Sequence, residues 1–481
     1  MGISSTINND KLDKPEEACG VFGILAPGKE VAKTAYYGLM ALQHRGQESA
    51  GIISFDFNYF RYHKEMGLVH EVFNEKNLEQ LNGNIAIAHT RYSTMGLSNL
   101  DNAQPYIKST LNGSIALAHN GNLVNAVDLR KELTQKGIKL TTTSDSEIIT
   151  NLIVENINNG LCIENSLTEA LNKCVGAFSI VIGTKDYLIA AKDPYGIRPL
   201  CLGVTVGGDI VIASETCSLD IINANFVREI EPGEIVIIDL NKKISSIYYT
   251  EKRKNNLCLF EIIYFARPDS TLYGKSVYNY RFSLGQELAK LSPVDADIVI
   301  PIPDSGTIAG IGYSYASKIP IAKGMIKNRN IGRTFIQPTQ EIRAQGIKLK
   351  LNPIKDVIKD KKIVVVDDSI VRGNTSKKIV ELLRNNGAKE VHMRISSAPI
   401  KYPCYYGIDT DNSDQLIASG KNINEINDYI KADSLSYLTV PSMLKVCNNL
   451  SFCNACFSGK YPIDSVNCHL INKSVFEKIN L

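Results

Sequence analysis

Hydrophobic residues in the first half of the chain fall into short runs closed by Gly, Asn or Asp. Ile85-Ala86-Ile87-Ala88, Ser114-Ile115-Ala116-Leu117-Ala118, Ala177-Phe178-Ser179-Ile180-Val181-Ile182 and Ile235-Val236-Ile237-Ile238 have the length and composition of buried or half-buried strands. Between such runs, Val31, Ala35, Leu39 and Leu42 recur on one face of a helix. This half therefore predicts stacked sheets with helices. Near residues 241–256 the sequence turns polar and basic (NKKISSIYYTEKRKNN), the composition expected of a domain boundary. Beyond it come strand–loop–helix units. Lys361-Lys362-Ile363-Val364-Val365-Val366 runs into Asp367-Asp368, and after a short loop a helix places Ile379, Leu382 and Leu383 on one face and stops at Gly387. Asp297–Pro303 repeats the strand-then-loop pattern one unit earlier. Such alternation implies a parallel sheet whose ligands bind beyond the carboxyl ends of its strands.

Composition narrows this picture. A chain of 481 residues exceeds what one core usually spans, so two domains are expected. A net charge of +3 gives no reason to expect nucleic acid or an anionic membrane as partner. No apolar run reaches the roughly 18 residues of a membrane span. Residues 1–18 (MGISSTINNDKLDKPEEA) have neither the apolar core of a secretory signal nor the arginines of a mitochondrial one. Met1-Gly2 with Thr6 matches a myristoylation pattern formally, and we read it as chance. Eleven cysteines without a signal peptide fit a reduced set and a cytoplasmic location. Cys162, Cys174, Cys201 and Cys217, set among apolar residues, are expected to be small buried hydrophobes.

Cys19 begins an apolar strand with glycines in it, Cys19-Gly20-Val21-Phe22-Gly23-Ile24. Alone, such a cysteine is most often a core residue. Cleaving a carboxamide, however, needs a nucleophile, a proton acceptor and donors for the oxyanion. If the chain is cut before Cys19, one residue supplies both a thiol and an α-amine with a reference pKa of about 7.7–8.0. Three later segments hold the remaining parts. Arg91 can fork onto a carboxylate, the Asn120 amide with the Gly121 N–H can hold an oxyanion, and Asp145 can pair with an ammonium. CGVFGI, LQHRGQESAGI, HTRYSTMG, HNGNL and TSDSE resemble, in order, the glutaminase domain of class II glutamine amidotransferases. The resemblance implies an N-terminal-nucleophile αββα four-layer sandwich over residues 19–250 and autocatalytic removal of a propeptide, residues 1–18. It also implies Cys19 as nucleophile, Asn120 and Gly121 as oxyanion hole, and Arg91 and Asp145 as holders of the glutamine α-carboxylate and α-amino groups.

The second motif is Asp367-Asp368-Ser369-Ile370-Val371-Arg372-Gly373-Asn374-Thr375. A buried strand delivers two carboxylates to its end, and a small-residue loop then turns N–H groups and hydroxyls toward a helix start. That is an anion cradle, and the acids suit ribose hydroxyls or a hydrated Mg²⁺. The plainer alternative is an acidic turn capped by Asn374 or Thr375. The pattern resembles the type I phosphoribosyltransferase motif that binds phosphoribosyl pyrophosphate (PRPP). This implies an α/β domain with a parallel sheet over residues 251–475. Pro301–Gly306 resembles the pyrophosphate-side loop, in which the position of Ser305 accompanies the metal. Lys327–Phe335 resembles the mobile loop over the substrate, with Lys327, Arg329 and Arg333, and Lys350 after it, as cations for diphosphate. The family usually has Tyr at the position of Asn330 and Thr at that of Asn374.

The two halves together resemble the amidophosphoribosyltransferase family over about Cys19 to Tyr461. That resemblance implies that glutamine, water and PRPP give 5-phosphoribosylamine, glutamate and pyrophosphate, the first committed step of purine synthesis, with ammonia passed between the sites. It also implies inhibition by purine nucleotides and a homotetramer. A sugar-phosphate amidotransferase would share the front half but not the Asp367-Asp368 cradle; a regulatory phosphoribosyl-binding protein would keep Cys19 internal. Cys258, Cys404, Cys453 and Cys456 remain. Their spacing suits Zn²⁺ or a 4Fe–4S cluster equally. Their contexts resemble those of the family's branch that carries a 4Fe–4S cluster.

Overall fold

A computed structural model describes residues 19–57, 59–92, 97–328, 351–410, 412–448 and 450–463. Two sheets form the first half. One has seven strands in the spatial order Ala224–Glu229, Cys201–Thr205, Ile210–Ala213, Gly20–Leu25, Ile85–Arg91, Ser49–Phe55 and Phe60–Met66. The other has six, Ile244–Tyr248, Glu234–Asp239, Tyr187–Lys192, Gly176–Gly183, Gly113–Leu123 and Tyr106–Thr110. Alternation along the strands decides the layers. Val21 and Leu25 join Ile87, Ala116, Val181 and Leu188 in a core between the sheets, whereas Phe22 and Ile24 face the opposite way, onto the Val31–Ala41 helix. On the far side, Ile115, Leu117, Ile180 and Ile182 pack against the helices Asp145–Asn158 and Ile163–Lys173. The result is helix, sheet, sheet, helix. Gly23 permits the close approach of the sheets: a β-carbon there would lie 2.6 Å from the Val181 side chain.

The polar stretch 241–256 contains a strand, Ile244–Tyr248, paired antiparallel with Glu234–Asp239. As an edge strand it has mostly exposed side chains, which is why its composition reads as linker. Cys174, Cys201 and Cys217 are buried, as expected, but Cys162 is exposed. It is the residue preceding the Ile163–Lys173 helix, in a surface turn where apolar neighbours do not produce burial.

The second half is built on four parallel strands in the order Ile298–Pro301, Lys362–Asp367, Glu390–Ile395 and Ser434–Tyr437. Ile363 and Val365 pack with Ile379, Val380 and Leu383 of the helix Asn374–Asn385. Val364 and Val366 belong instead to the core with Leu284 and Leu288 of Val277–Leu291 and Ala309 of Thr307–Ser317. A strand covered on both faces has no polar side, which accounts for its unbroken apolar run.

The two halves share a core that includes Ile115 of the first and Val366 of the second, and beside it lies a buried charge node. Glu261, in a π-helical turn Glu261–Phe265, accepts from Arg45 Nη2 at 2.8 Å and from Arg198 Nη1 at 2.9 Å. Arg45 also donates to Glu215. Glu215 in turn accepts from His44 at 2.8 Å, Ser270 Oγ at 2.6 Å and the Arg267 N–H at 2.8 Å. Burial alone would raise the Glu215 carboxyl, but the charges of His44 and Arg45 and these hydrogen bonds hold it well below the usual range. Removing one member of such a node strands buried charge. Glu261→Ala is expected to cost about 3–5 kcal/mol of stability, read as a lower denaturation midpoint. A loss under about 1 kcal/mol, the range of an exposed ion pair, would show that the node does not hold the halves together.

Candidate functional site

The expected amide-cleaving residues meet at one end of the sheet sandwich. Cys19 immediately precedes the strand Gly20–Leu25 and is 5% exposed, its Sγ–H directed to the Tyr92 carbonyl at 3.3 Å. Arg91 ends the adjacent strand, in which Gly20 pairs with Thr90. His89 Nε2 lies 3.0 Å from the His119 carbonyl, which brings the end of that strand level with Asn120 on the facing sheet. Asp145 starts the helix Asp145–Asn158 behind the cap Ser144. It accepts the Leu123 N–H at 3.0 Å and stands 3.5 Å from His119 Nδ1. The turn before it is fixed by Glu147, which accepts the N–H and hydroxyl of both Thr141 and Thr142.

The electrostatics of this end are specific. Burial pushes the Cys19 thiol up to about 12; Arg91 opposes the shift, while Glu48 and Asp145 add to it. At neutral pH the thiol is therefore protonated and needs a base. Asp145 is the reverse case: burial would raise it, but His119, the Leu123 N–H and Arg91 keep it below its usual value, hence ionised. Asn120 is 0% exposed, and among the described residues neither its amide nitrogen nor its oxygen has a hydrogen-bond partner. A buried amide without partners costs about 1–3 kcal/mol, a cost that a ligand making those bonds would remove. Gly121 has φ +153°, and a β-carbon there would lie 2.0 Å from the Ala177 carbonyl oxygen.

Sequence reasoning missed Arg45. Its Nε donates to the Cys19 carbonyl at 3.1 Å while its other nitrogens hold Glu215 and Glu261. The segment LQHRGQESAGI held the signal, a basic residue just after an apolar helix, but its near-complete burial, at 1% exposure, depends on partners far along the chain. Glu48 was missed similarly. Its carboxylate lies 3.9 Å from Arg91, in the segment that pairs with the end of that strand.

The second set assembles at the carboxyl ends of the parallel strands. Asp367, Asp368 and Ser369 are buried. Asp367 Oδ1 accepts the Asp368 N–H at 2.9 Å and faces Ser305 Oγ at 3.4 Å, and Ser369 Oγ donates to Asp368. Ile370 and Val371 turn inward, so the loop presents backbone rather than side chain. Arg372 donates to Gln415, Gly373 adopts φ +84°, and Asn374 and Thr375 open the helix Asn374–Asn385. The Tyr429 hydroxyl donates to Asn374 Oδ1 at 2.6 Å. Behind the acids, buried Arg281 donates to the Ile262 and Ala266 carbonyls; burial lowers it to about 10, with Asp368 opposing. Lys327 pairs with Asp304 at 2.9 Å. Arg329, Asn330, Arg333 and Lys350 lie outside the described residues.

Four cysteines converge as well. Cys258 and Cys453 are register partners in a short parallel pair, and the Lys401 and Tyr402 N–H groups donate to the Cys456 carbonyl, which brings the Cys404 segment alongside. Cys456 lies in the electrostatic field of the other three, and burial pushes the Cys258 thiol up to about 12. Among the described residues no three His, Cys, Asp or Glu side chains form a ready metal-binding group. The donor chemistry still suits a soft cation, since mutually opposed buried thiols ionise when one is bound.

Comparison with known proteins assigns a family to each half of the chain. Residues 89–220 match the glutamine amidotransferase domain family and residues 292–409 the phosphoribosyl transferase domain family. The two domains in one chain define a glutamine-dependent transferase acting on a phosphoribosyl substrate. The amidophosphoribosyltransferase of Synechococcus elongatus is 53% identical over 94% of this chain and 93% of its own length. Amidophosphoribosyltransferase 1, chloroplastic, of Arabidopsis thaliana is 47% identical over 95% and 80%. The solved glutamine PRPP amidotransferase from B. subtilis, complexed with ADP and GMP, is 44% identical. It superposes with a TM-score of 0.88, covering 94% of this chain and 100% of that one. The chain belongs to the amidophosphoribosyltransferase family, whose reaction is the first step of purine biosynthesis. Among the described residues no helix is long and apolar enough to cross a membrane.

The raised Cys19 thiol gives a direct check. In protein whose mass still includes residues 1–18, alkylation at Cys19 is expected to rise about tenfold per pH unit between about pH 7 and 9, because the thiolate fraction does so below the thiol pKa. Once Cys19 is N-terminal the rate is expected to level off near pH 8, about where its amine titrates. Identical profiles would contradict the need for the amine.

Proposed function

We propose that Cys19 becomes the working nucleophile only after cleavage at Ala18, and that residues 19–250 and 251–475 then act as the glutaminase and phosphoribosyltransferase domains of one enzyme. The observation that carries this reading is the buried Asn120 amide, unpartnered among the described residues, at the same end of the sandwich as Cys19, Arg91 and Asp145. Arg91 and Asp145 hold the α-carboxylate and α-ammonium of glutamine. The Cys19 thiol gives its proton to the α-amine as sulfur bonds to the amide carbon, and the oxyanion so formed is stabilised by Asn120 and the Gly121 N–H. Collapse breaks the carbon–nitrogen bond, and the amine's proton leaves with ammonia. Water then cleaves the thioester to glutamate.

At the second site Asp367 and Asp368 face the ribose hydroxyls of PRPP, and the loop Ser369–Thr375 wraps the 5-phosphate at a helix start. Lys327, Arg329, Arg333 and Lys350 are the cations for diphosphate. Ser305, Asp367 and Asp368 would hold Mg²⁺, which neutralises charge on departing pyrophosphate when bound. Ammonia's lone pair bonds to C1 as the bond to pyrophosphate breaks and the pyrophosphate takes the electron pair; the ammonium formed on C1 then gives up a proton to solvent. Ammonia is mostly protonated in neutral water, so passage within the protein favours the transfer. Cys258, Cys404, Cys453 and Cys456 would hold a 4Fe–4S cluster as a structural group. Purine nucleotides act as inhibitors, in keeping with the ADP and GMP of the B. subtilis structure; the assembly is a homotetramer, and the location is cytoplasmic.

Intact mass with N-terminal sequencing, followed by a glutaminase assay with and without PRPP, tests the reading. Active protein is expected to begin at Cys19; full glutamine hydrolysis with Cys19 internal would overturn it. Anaerobically purified protein is expected to show visible absorption that bleaches in air. A colourless protein with stoichiometric zinc would replace the cluster by Zn²⁺.

A further inference from the structure

The turn that carries Cys404 belongs to the second half of the chain but docks on the strand that carries Asn120 and Gly121. Asn122 Nδ2 donates to the Tyr405 carbonyl at 2.9 Å. Arg198 Nε and Nη2 donate to the next carbonyl, that of Tyr406, at 3.0 and 2.8 Å. Gly407 then lies flush against Gly121: a β-carbon at 407 would stand 3.1 Å from the Gly121 carbonyl carbon and oxygen, and its φ is +96°. The grip reaches Asn120 also, because the Arg198 carbonyl accepts Ser179 Oγ at 2.9 Å and Ser179 is the cross-strand partner of Asn120. The Tyr406 N–H points back to Cys404 Sγ at 3.4 Å, closing the turn on itself.

We propose that the turn Cys404–Gly407 is a strut for the oxyanion-binding residues, with Asn122 and Gly407 as positioning residues for amide hydrolysis. The inference rests on the reading of Asn120 and Gly121 given above. Oxyanion donors work only when held within hydrogen-bond reach of where the charge develops. The strand end at Gly121–Leu123 is held within its own domain by pairing with Gly176–Phe178 and by the Asp145 bond at Leu123. The strut fixes it from the other side, so the second domain sets the geometry of a reaction carried out in the first.

The test uses full-length processed protein with Asn122→Ala, Gly407→Ala and, as reference, Asn120→Ala. Glutamine-dependent and ammonia-dependent synthesis are measured together with binding of glutamate and of the γ-semialdehyde of glutamate, an aldehyde that adds to the thiol and forms the oxyanion. Asn122→Ala and Gly407→Ala are each expected to lower kcat with glutamine by about 10- to 100-fold, the effect of a misplacement of about 1 Å. Aldehyde affinity should fall by a similar factor, while the KM for glutamine, glutamate binding and ammonia-dependent synthesis change by no more than about twofold, well under a tenfold, 1.4 kcal/mol effect. If Asn120→Ala abolishes hydrolysis but Asn122→Ala and Gly407→Ala do not impair it, the strut is wrong and the oxyanion assignment stands. If Asn120→Ala is itself harmless, the oxyanion assignment fails and takes the strut with it. Parallel loss of both syntheses would mark the turn as merely structural and overturn the proposal.

Discussion

Glu261 receives one guanidinium from Arg45 and another from Arg198, and all three side chains are withdrawn from water. Charges buried this deeply are tolerated only when each finds its partner, so the contacts fix how the two halves of the chain sit together. They also fix what the arginines do with their remaining donors. Arg45 holds the carbonyl of Cys19, and Arg198 holds the carbonyl of Tyr406 beside Gly121. Cys19 and the Asn120–Gly121 segment, the proposed nucleophile and oxyanion residues, are thus both referred to one carboxylate of the opposite domain. The segment whose carbonyls bind Arg281 begins at the residue after Glu261, and Arg281 stands behind Asp368.

Electrostatics at each site follows from the same withdrawal from water. The Cys19 thiol is driven up by burial with two carboxylates near it, so the thiol alone is not a nucleophile at neutral pH. In the proposed processed form the base comes with the residue itself, as the α-amine of an N-terminal cysteine. The cysteine group is a second instance: burial and neighbouring thiols raise Cys258, Cys453 and Cys456, and a cation among them would reverse that. Cys404 opens the turn that supports Gly121, so the cysteine group and the glutaminase site share a support.

What the sequence made legible was local. The apolar strand ending in Asp367-Asp368 announced its cradle because covering both faces of a strand leaves only its tip polar. Asn120, Gly121, Arg91 and Asp145 could be picked out because each follows an apolar run or starts a helix, where a polar group must face a pocket or a cap. Arg45, Arg198 and Glu261 were not legible. Glu261 lies 216 residues from Arg45 and 63 from Arg198, and no periodicity reports a pairing across such distances. The edge strand Ile244–Tyr248 was hidden for the opposite reason, since exposed side chains gave it the composition of a linker. Cys162 misled because apolar neighbours in sequence are not neighbours in space at a surface turn.

On the proposed reading, amide nitrogen released at Cys19 reaches the ribose carbon at Asp367-Asp368 without entering the solvent. That transfer is tested most directly by supplying glutamine with an isotopically labelled amide nitrogen, PRPP and an excess of unlabelled ammonium, then measuring the label in phosphoribosylamine after trapping. Product is expected to be labelled almost wholly from glutamine at a pH where little ammonium is deprotonated. Product whose label is diluted in proportion to the ammonia in solution would contradict it.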